Sequence, residues 1–63
     1  MTQREQVCLG LAAQGYRDSE IAKKLEISTR TVLFHLNNAK AKLNAENRAQ
    51  MIAKAVFKKL IQI

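Results

Sequence analysis

The residues of this chain best suited to chemistry are cations and hydrogen-bonding side chains, and they cluster. Between Ser28 and Leu43 stand Arg30, Lys40 and Lys42 without a carboxylate among them, and the stretch opens with the hydroxyls of Ser28, Thr29 and Thr31. Three positive charges on one segment suit an array of phosphates. Hydroxyls beside the free amides of a helix N-terminus suit an anion, and they equally serve as plain caps. Catalysis has no comparable support, because paired carboxylates, a Gly-rich phosphate loop and a nucleophile beside a base are all missing from the sequence. One cysteine and one histidine build neither an internal disulfide nor a zinc site, so no metal and no cofactor is expected. Cys8 has apolar and neutral neighbours that would not lower its pKa, and it reads as a core thiol rather than a reactive one.

These groups need a scaffold, and the chain is long enough for only one. A 63-residue protein buries about 60% of its unfolded surface and has no room for a second core. A hydrophobic share of 48% against 25% charged residues predicts a folded globule rather than a disordered chain. Eleven Lys and Arg against five Asp and Glu give +6 and a pI near 10.0, which points to an acidic partner. The charge is lopsided: residues 1–27 balance Arg4, Arg17, Lys23 and Lys24 against Glu5, Asp18, Glu20 and Glu26, and residues 28–63 carry the whole excess. No run approaches the roughly 18 apolar residues of a membrane span, and the start lacks the apolar stretch of a signal peptide, so a cytoplasmic protein with no membrane partner is expected.

The absence of proline, the two glycines and the lack of sustained alternation predict an all-α chain of four helices, near residues 3–14, 19–25, 29–43 and 48–61. Thr2-x-x-Glu5 is a capping-box pattern for the first helix, which Gly15 ends. Asp18 is the expected cap of the second helix, Ser28 of the third, and Asn47-x-x-Gln50 marks the start of the fourth. The expected buried stripes are Cys8, Leu9, Leu11 and Ala12; Ile21, Ala22 and Leu25, with Ile27 following; Val32, Leu36, Ala39 and Leu43; and Met51, Ile52, Ala55 and Val56.

A short helix, a tight turn and a longer basic helix make the layout of a helix-turn-helix, whose second helix enters the major groove of duplex DNA. An ordinary helical hairpin in a small bundle has the same spacing; the charge asymmetry favours the former. Lys23 and Lys24 are placed either to approach the DNA backbone or to form a solvated face.

At this point the residues resemble the LuxR-type helix-turn-helix domain of bacterial transcription regulators. The markers are Thr2-x-Arg4-Glu5, Gly15, Glu20-Ile21-Ala22-x-x-Leu25-x-Ile27-Ser28, Thr31-Val32-x-x-His35-Leu36-x-Asn38, Lys42-Leu43 and Asn47-Arg48. Within that family, Phe34-His35 and Asn38-Ala39 look most like the acyl-homoserine-lactone receptors of quorum sensing, where such a domain follows an N-terminal ligand-sensing domain. The resemblance implies one DNA-binding domain over residues 1–63, with the helix-turn-helix over about 18–37 and a dimerisation helix over about 48–61. It further implies that Leu33, Phe34 and Asn37 face base edges. Asn37 can pair two hydrogen bonds with adenine, whereas Leu33 and Phe34 offer only apolar contact, for instance to a thymine methyl group, or pack on another subunit or the core. The backbone contacts expected are Ser28, Thr29, Arg30, Thr31, Lys40 and Lys42, and His35 either touches a phosphate or supports the helix. RNA polymerase is a further partner that the resemblance implies. A sigma-factor-like promoter-binding domain and a basic protein-interaction module are the alternatives.

On the fourth helix Ala49, Ala53, Phe57 and Ile61 recur every four residues, with Leu60 beside them. Small residues followed by large ones would let two copies approach about a two-fold axis; contact with another domain or a membrane surface are the competing uses. Some positions depart from the family pattern. Relatives usually carry a hydroxyl where Arg17 stands, Gly is frequent at the positions of Asn44 and Glu26, and nothing physical accounts for Val7 where Glu is common.

Overall fold

The computed structural model describes residues 1–61. It holds α1 (Gln3–Ala13), α2 (Asp18–Leu25), α3 (Thr29–Lys42) and α4 (Arg48–Phe57), with no strand among the described residues. Three of the four helices start on the expected caps. The Glu5 amide donates to Thr2 Oγ1 at 3.1 Å while Glu5 Oε1 accepts from the Thr2 amide at 3.0 Å, which closes the capping box. Ser28 Oγ accepts from the Thr31 amide at 3.0 Å, and Asn47 Oδ1 accepts from the Gln50 amide at 2.8 Å.

The second helix departs from expectation. Arg17 holds the extended cap conformation (φ −75°, ψ 160°) and Asp18 is the first helical residue. Half a box forms there, as Glu20 Oε1 accepts from the Arg17 amide at 2.8 Å. An arginine side chain has no acceptor to complete it. Asp18 instead accepts a hydrogen bond from Arg48 Nη1 at 2.7 Å.

All four helices end in the same way. Gly15, Glu26, Asn44 and Lys59 have φ of 97°, 58°, 53° and 59°. The amide after each reaches back five residues: Tyr16 to Leu11, Ile27 to Ala22, Ala45 to Lys40 and Leu60 to Ala55, at 2.9 to 3.2 Å. This is the Schellman arrangement, and the residue after the left-handed position packs on the core in each case. The turn at Lys59 corrects the expected extent of the fourth helix. α4 stops at Phe57, the chain swings back, and Gln6 Nε2 holds the Leu60 carbonyl at 3.0 Å.

One large side chain from each helix is fully buried: Leu9, Ile21, Val32 and Met51. Such burial contributes about 1.5–3 kcal/mol per side chain. The expected stripes of α1 to α3 occupy the core or pack against it, α1 and α3 sharing the most extensive contact. Cys8 is fully buried, and burial pushes its thiol pKa up, as befits a core thiol. Three positions differ. Val56 faces outward, Ile61 lies in the core at 8% exposure beside Gly10, and Glu5 is a buried carboxylate.

Candidate nucleic-acid interface

α3 buries Val32, Leu36 and Ala39 and turns the remainder of its circumference outward. At 3.6 residues per turn the outward arc, about 140° wide, carries Thr29, Arg30, Leu33, Phe34, Asn37 and Lys40. Leu33 is 43% exposed and Phe34 62%, and Asn37 is exposed beside them. No carboxylate stands on this helix. The three residues expected to face bases are therefore brought together on one open face, with Arg30 toward one end and Lys40 toward the other.

The other expected contacts divide. Ser28 and Thr29 are exposed at the N-terminus of α3. The Thr31 hydroxyl lies 2.8 Å from that of Ser28, so the pair satisfies itself as part of the cap. Lys42 stands apart. It is nine residues beyond Leu33, two and a half turns, and so on the opposite side of the helix. Its Nζ lies 2.7 Å from Glu5 Oε1. That bond, followed by the Thr2 amide, holds the Glu5 carboxyl below the usual carboxylate range. Lys42 ties α3 to the start of α1, with its side chain 46% exposed. Lys24 Nζ sits 4.7 Å from the centre of the Tyr16 ring, a cation–π contact that draws it to α1's exit. Lys23 is exposed. His35 is half-buried and meets the Phe34 ring edge-on at 5.7 Å between centroids.

Arg48 was not among the expected contacts, yet it borders the site. A notch of about 180 Å³ is lined by Leu33, Leu36, Asn37 and Lys40 of α3 with Arg48 and Met51 of α4. A cation at a helix N-terminus opposes the helix dipole and so signals a specific partner. Here the partner is Asp18, with a longer contact of 3.4 Å to the Tyr16 carbonyl. This bridge fixes the start of α4 against the start of α2.

On α4, Ala49 and Ala53 are exposed and Phe57 is 87% exposed, and Leu60, beyond the helix, is half-buried. Ile61 leaves this face for the core, for the reason given above, and Val56 joins it. A hollow of about 600 Å³ adjoins the Phe57 ring, lined by Leu43, Asn44, Ala53, Lys54 and Lys58. The described residues hold no His, Cys, Asp and Glu cluster able to bind a metal, and no helix among them is long and apolar enough to cross a membrane.

The sequence profile described as "Bacterial regulatory proteins, luxR family" matches residues 1–55. The chain is 50% identical over 57 residues to the transcriptional activator protein LuxR of Aliivibrio fischeri, covering 90% of this chain and 23% of that protein. It is 50% identical over 57 residues to the transcriptional activator protein VanR of Vibrio anguillarum, covering 90% and 24%. It is 48% identical over 56 residues to the quorum sensing-dependent transcriptional regulator VjbR of Brucella ovis, covering 89% and 22%. The chain thus spans about a quarter of the length of these relatives. Among solved structures, that of the transcription factor GerE superposes with a TM-score of 0.93 at 29% identity, covering 98% of this chain and 92% of that one. The four helices, the open basic face of α3 and this match over most of the chain place the protein in the luxR family of bacterial regulatory proteins.

Proposed function

We propose that the chain is the sequence-specific DNA-binding output domain of a bacterial transcription regulator in the quorum-sensing branch of its family. The observation that carries this is the outward arc of α3, where Asn37 is flanked by Leu33 and Phe34, with Arg30 and Lys40 at the ends. In the major groove Asn37 pairs with an adenine edge, and Arg30 and Lys40 reach phosphates with help from Ser28 and Thr29. Two copies meet through Ala49, Ala53, Val56 and Phe57 of α4, so that a partly palindromic site is bound by a dimer. The relatives' greater length supports an N-terminal sensing domain as a further part of the regulator, and the names of LuxR and VanR as activators support contact with RNA polymerase. Both functions place the protein in the bacterial cytoplasm. DNA binding of this kind needs no chemical step, which fits a chain that is not an enzyme.

The test is binding to a preferred duplex at several salt concentrations. Log affinity falls by about 0.9 per neutralised phosphate for each unit of log salt, and Arg30→Gln lowers that slope by about one phosphate. Asn37→Ala relaxes preference at one base pair by roughly 1–3 kcal/mol. Salt-independent binding, or an unchanged sequence profile for Asn37→Ala, overturns the assignment.

A further inference from the structure

Two large apolar side chains, Leu33 and Phe34, lie open on the arc of α3. Among the described residues six large hydrophobics are exposed, and the other four sit elsewhere: Met1 and Val7 at α1, Val56 and Phe57 on the outer side of α4. The pair on α3 therefore belongs to neither the core nor the α4 face. Its surroundings say what covers it. Arg30 and Lys40 bracket it and Asn37 lies one turn on from both residues, on a helix without an acid. An apolar patch framed by cations fits a surface that is anionic at its margins and apolar at small points inside. The major groove of duplex DNA is such a surface, and its one apolar group on a standard base is the 5-methyl of thymine.

Resting on the DNA-binding function argued above, we propose that this domain reads the 5-methyl group of pyrimidines. At the base pairs facing Leu33 and Phe34 it responds to the methyl carbon and not to the exocyclic group at C4. A hydrocarbon side chain neither donates nor accepts a hydrogen bond. It therefore cannot tell the O4 acceptor of thymine from the N4 donor of cytosine, whereas the methyl adds apolar area that it can cover. 5-Methylcytosine accordingly substitutes for thymine at these positions, and uracil does not. The chemical mark recognised is cytosine methylation within the site.

The experiment uses the 63-residue chain and the duplexes it enriches from a random pool. Each thymine of the preferred site is replaced in turn by uracil, which removes one methyl and leaves pairing intact. One or two positions per half-site lose affinity by about three- to fivefold, the value of one buried methyl. At such a position, away from the base pair read by Asn37, a C·G pair binds weakly and a 5-methylcytosine·G pair comes within twofold of T·A. Leu33→Ala and Phe34→Ala, both at exposed positions, keep the helical circular dichroism and abolish the uracil effect at their own positions. A flat uracil scan on a site that is still preferred overturns methyl reading and leaves DNA recognition standing. Uracil effects that persist unchanged in both alanine variants overturn the assignment to these residues. A pool that yields no preferred sequence overturns both levels together.

Discussion

Glu5 shows how one side chain can serve two levels of structure. Its carboxylate closes the cap of α1 through the Thr2 amide and at the same time accepts from Lys42 near the end of α3, 37 residues away in sequence. A buried carboxylate satisfied by one of these alone would remain costly. Because the folded carboxyl titrates below its ordinary value of 4.5, its contribution is fully present above that pH and is lost as pH falls through the lower, folded value. Glu5→Gln should therefore lower stability by about 1–2 kcal/mol near neutral pH, a modest figure because Lys42 keeps part of its length in water. The deficit against the parent chain should shrink on going from pH 6.5 to pH 3. Urea midpoints at the two pH values measure it, and a deficit that stays constant would show that Glu5 acts by shape and not by charge. The cap half of this arrangement was legible, since Thr2 and Glu5 are neighbours on one turn. The Lys42 half was not, because local spacing presents Lys42 as one more cation of a basic helix and the acid that claims it lies at the other end of the fold.

At the scale of elements the helices were legible at their beginnings and less so at their ends. A cap announces itself by residue type: Thr2, Ser28 and Asn47 each carry an acceptor that the third residue's amide can reach. A left-handed stop announces itself where glycine fills it, as Gly15 does, and more faintly where asparagine, which also visits that region, takes its place, as Asn44 does. Glu26, Asn44 and Lys59 adopt the same conformation with side chains of ordinary helix or loop composition, so the fourth helix looked longer than it is. The four-residue step from Phe57 to Ile61 matched a helical stripe, yet the turn at Lys59 sends Ile61 into the core. The usable signal is the apolar residue after each stop, which the Schellman turn brings onto the core. Two substitutions test this account of the ends. Glu26→Gly removes the Cβ crowding of a left-handed residue and should stabilise by about 0.5–1 kcal/mol net of glycine's greater freedom in the unfolded chain. Arg17→Ser supplies the missing acceptor at the start of α2, completes the box with Glu20, and should stabilise by about 1 kcal/mol. In a domain of this size a gain of about 1 kcal/mol raises the melting temperature by roughly 4–8 °C, and half that gain by roughly 2–4 °C. A fall in melting temperature for either would mean that the native side chain makes contacts worth more than the backbone relief.

The whole molecule sets two faces on one small core, and the Arg48–Asp18 bridge ties the start of α4 to the start of α2. The face of α3 proposed to read DNA and the apolar face of α4 both rest on one core cluster, so neither can shift without disturbing the other. A single reading helix offers few phosphate contacts and one short row of base edges. In the proposed dimer the second binding event would be intramolecular, which raises affinity without any new contact. Phe57 is the residue to remove for a test, because it is 87% exposed among the described residues. Phe57→Glu should leave helicity and urea midpoint unchanged to within about 0.5 kcal/mol, as for other exposed positions. It should weaken self-association in sedimentation equilibrium at least tenfold, by placing a charge against its own copy across the two-fold axis. Binding to a duplex with a single half-site should be nearly unaffected, while binding to the full palindrome loses the gain that linked sites confer, about 10²-fold or more. A variant that dimerises as well as the parent would remove α4 as the interface. A variant that dimerises poorly yet binds the palindrome as tightly would show that the two half-sites are filled independently.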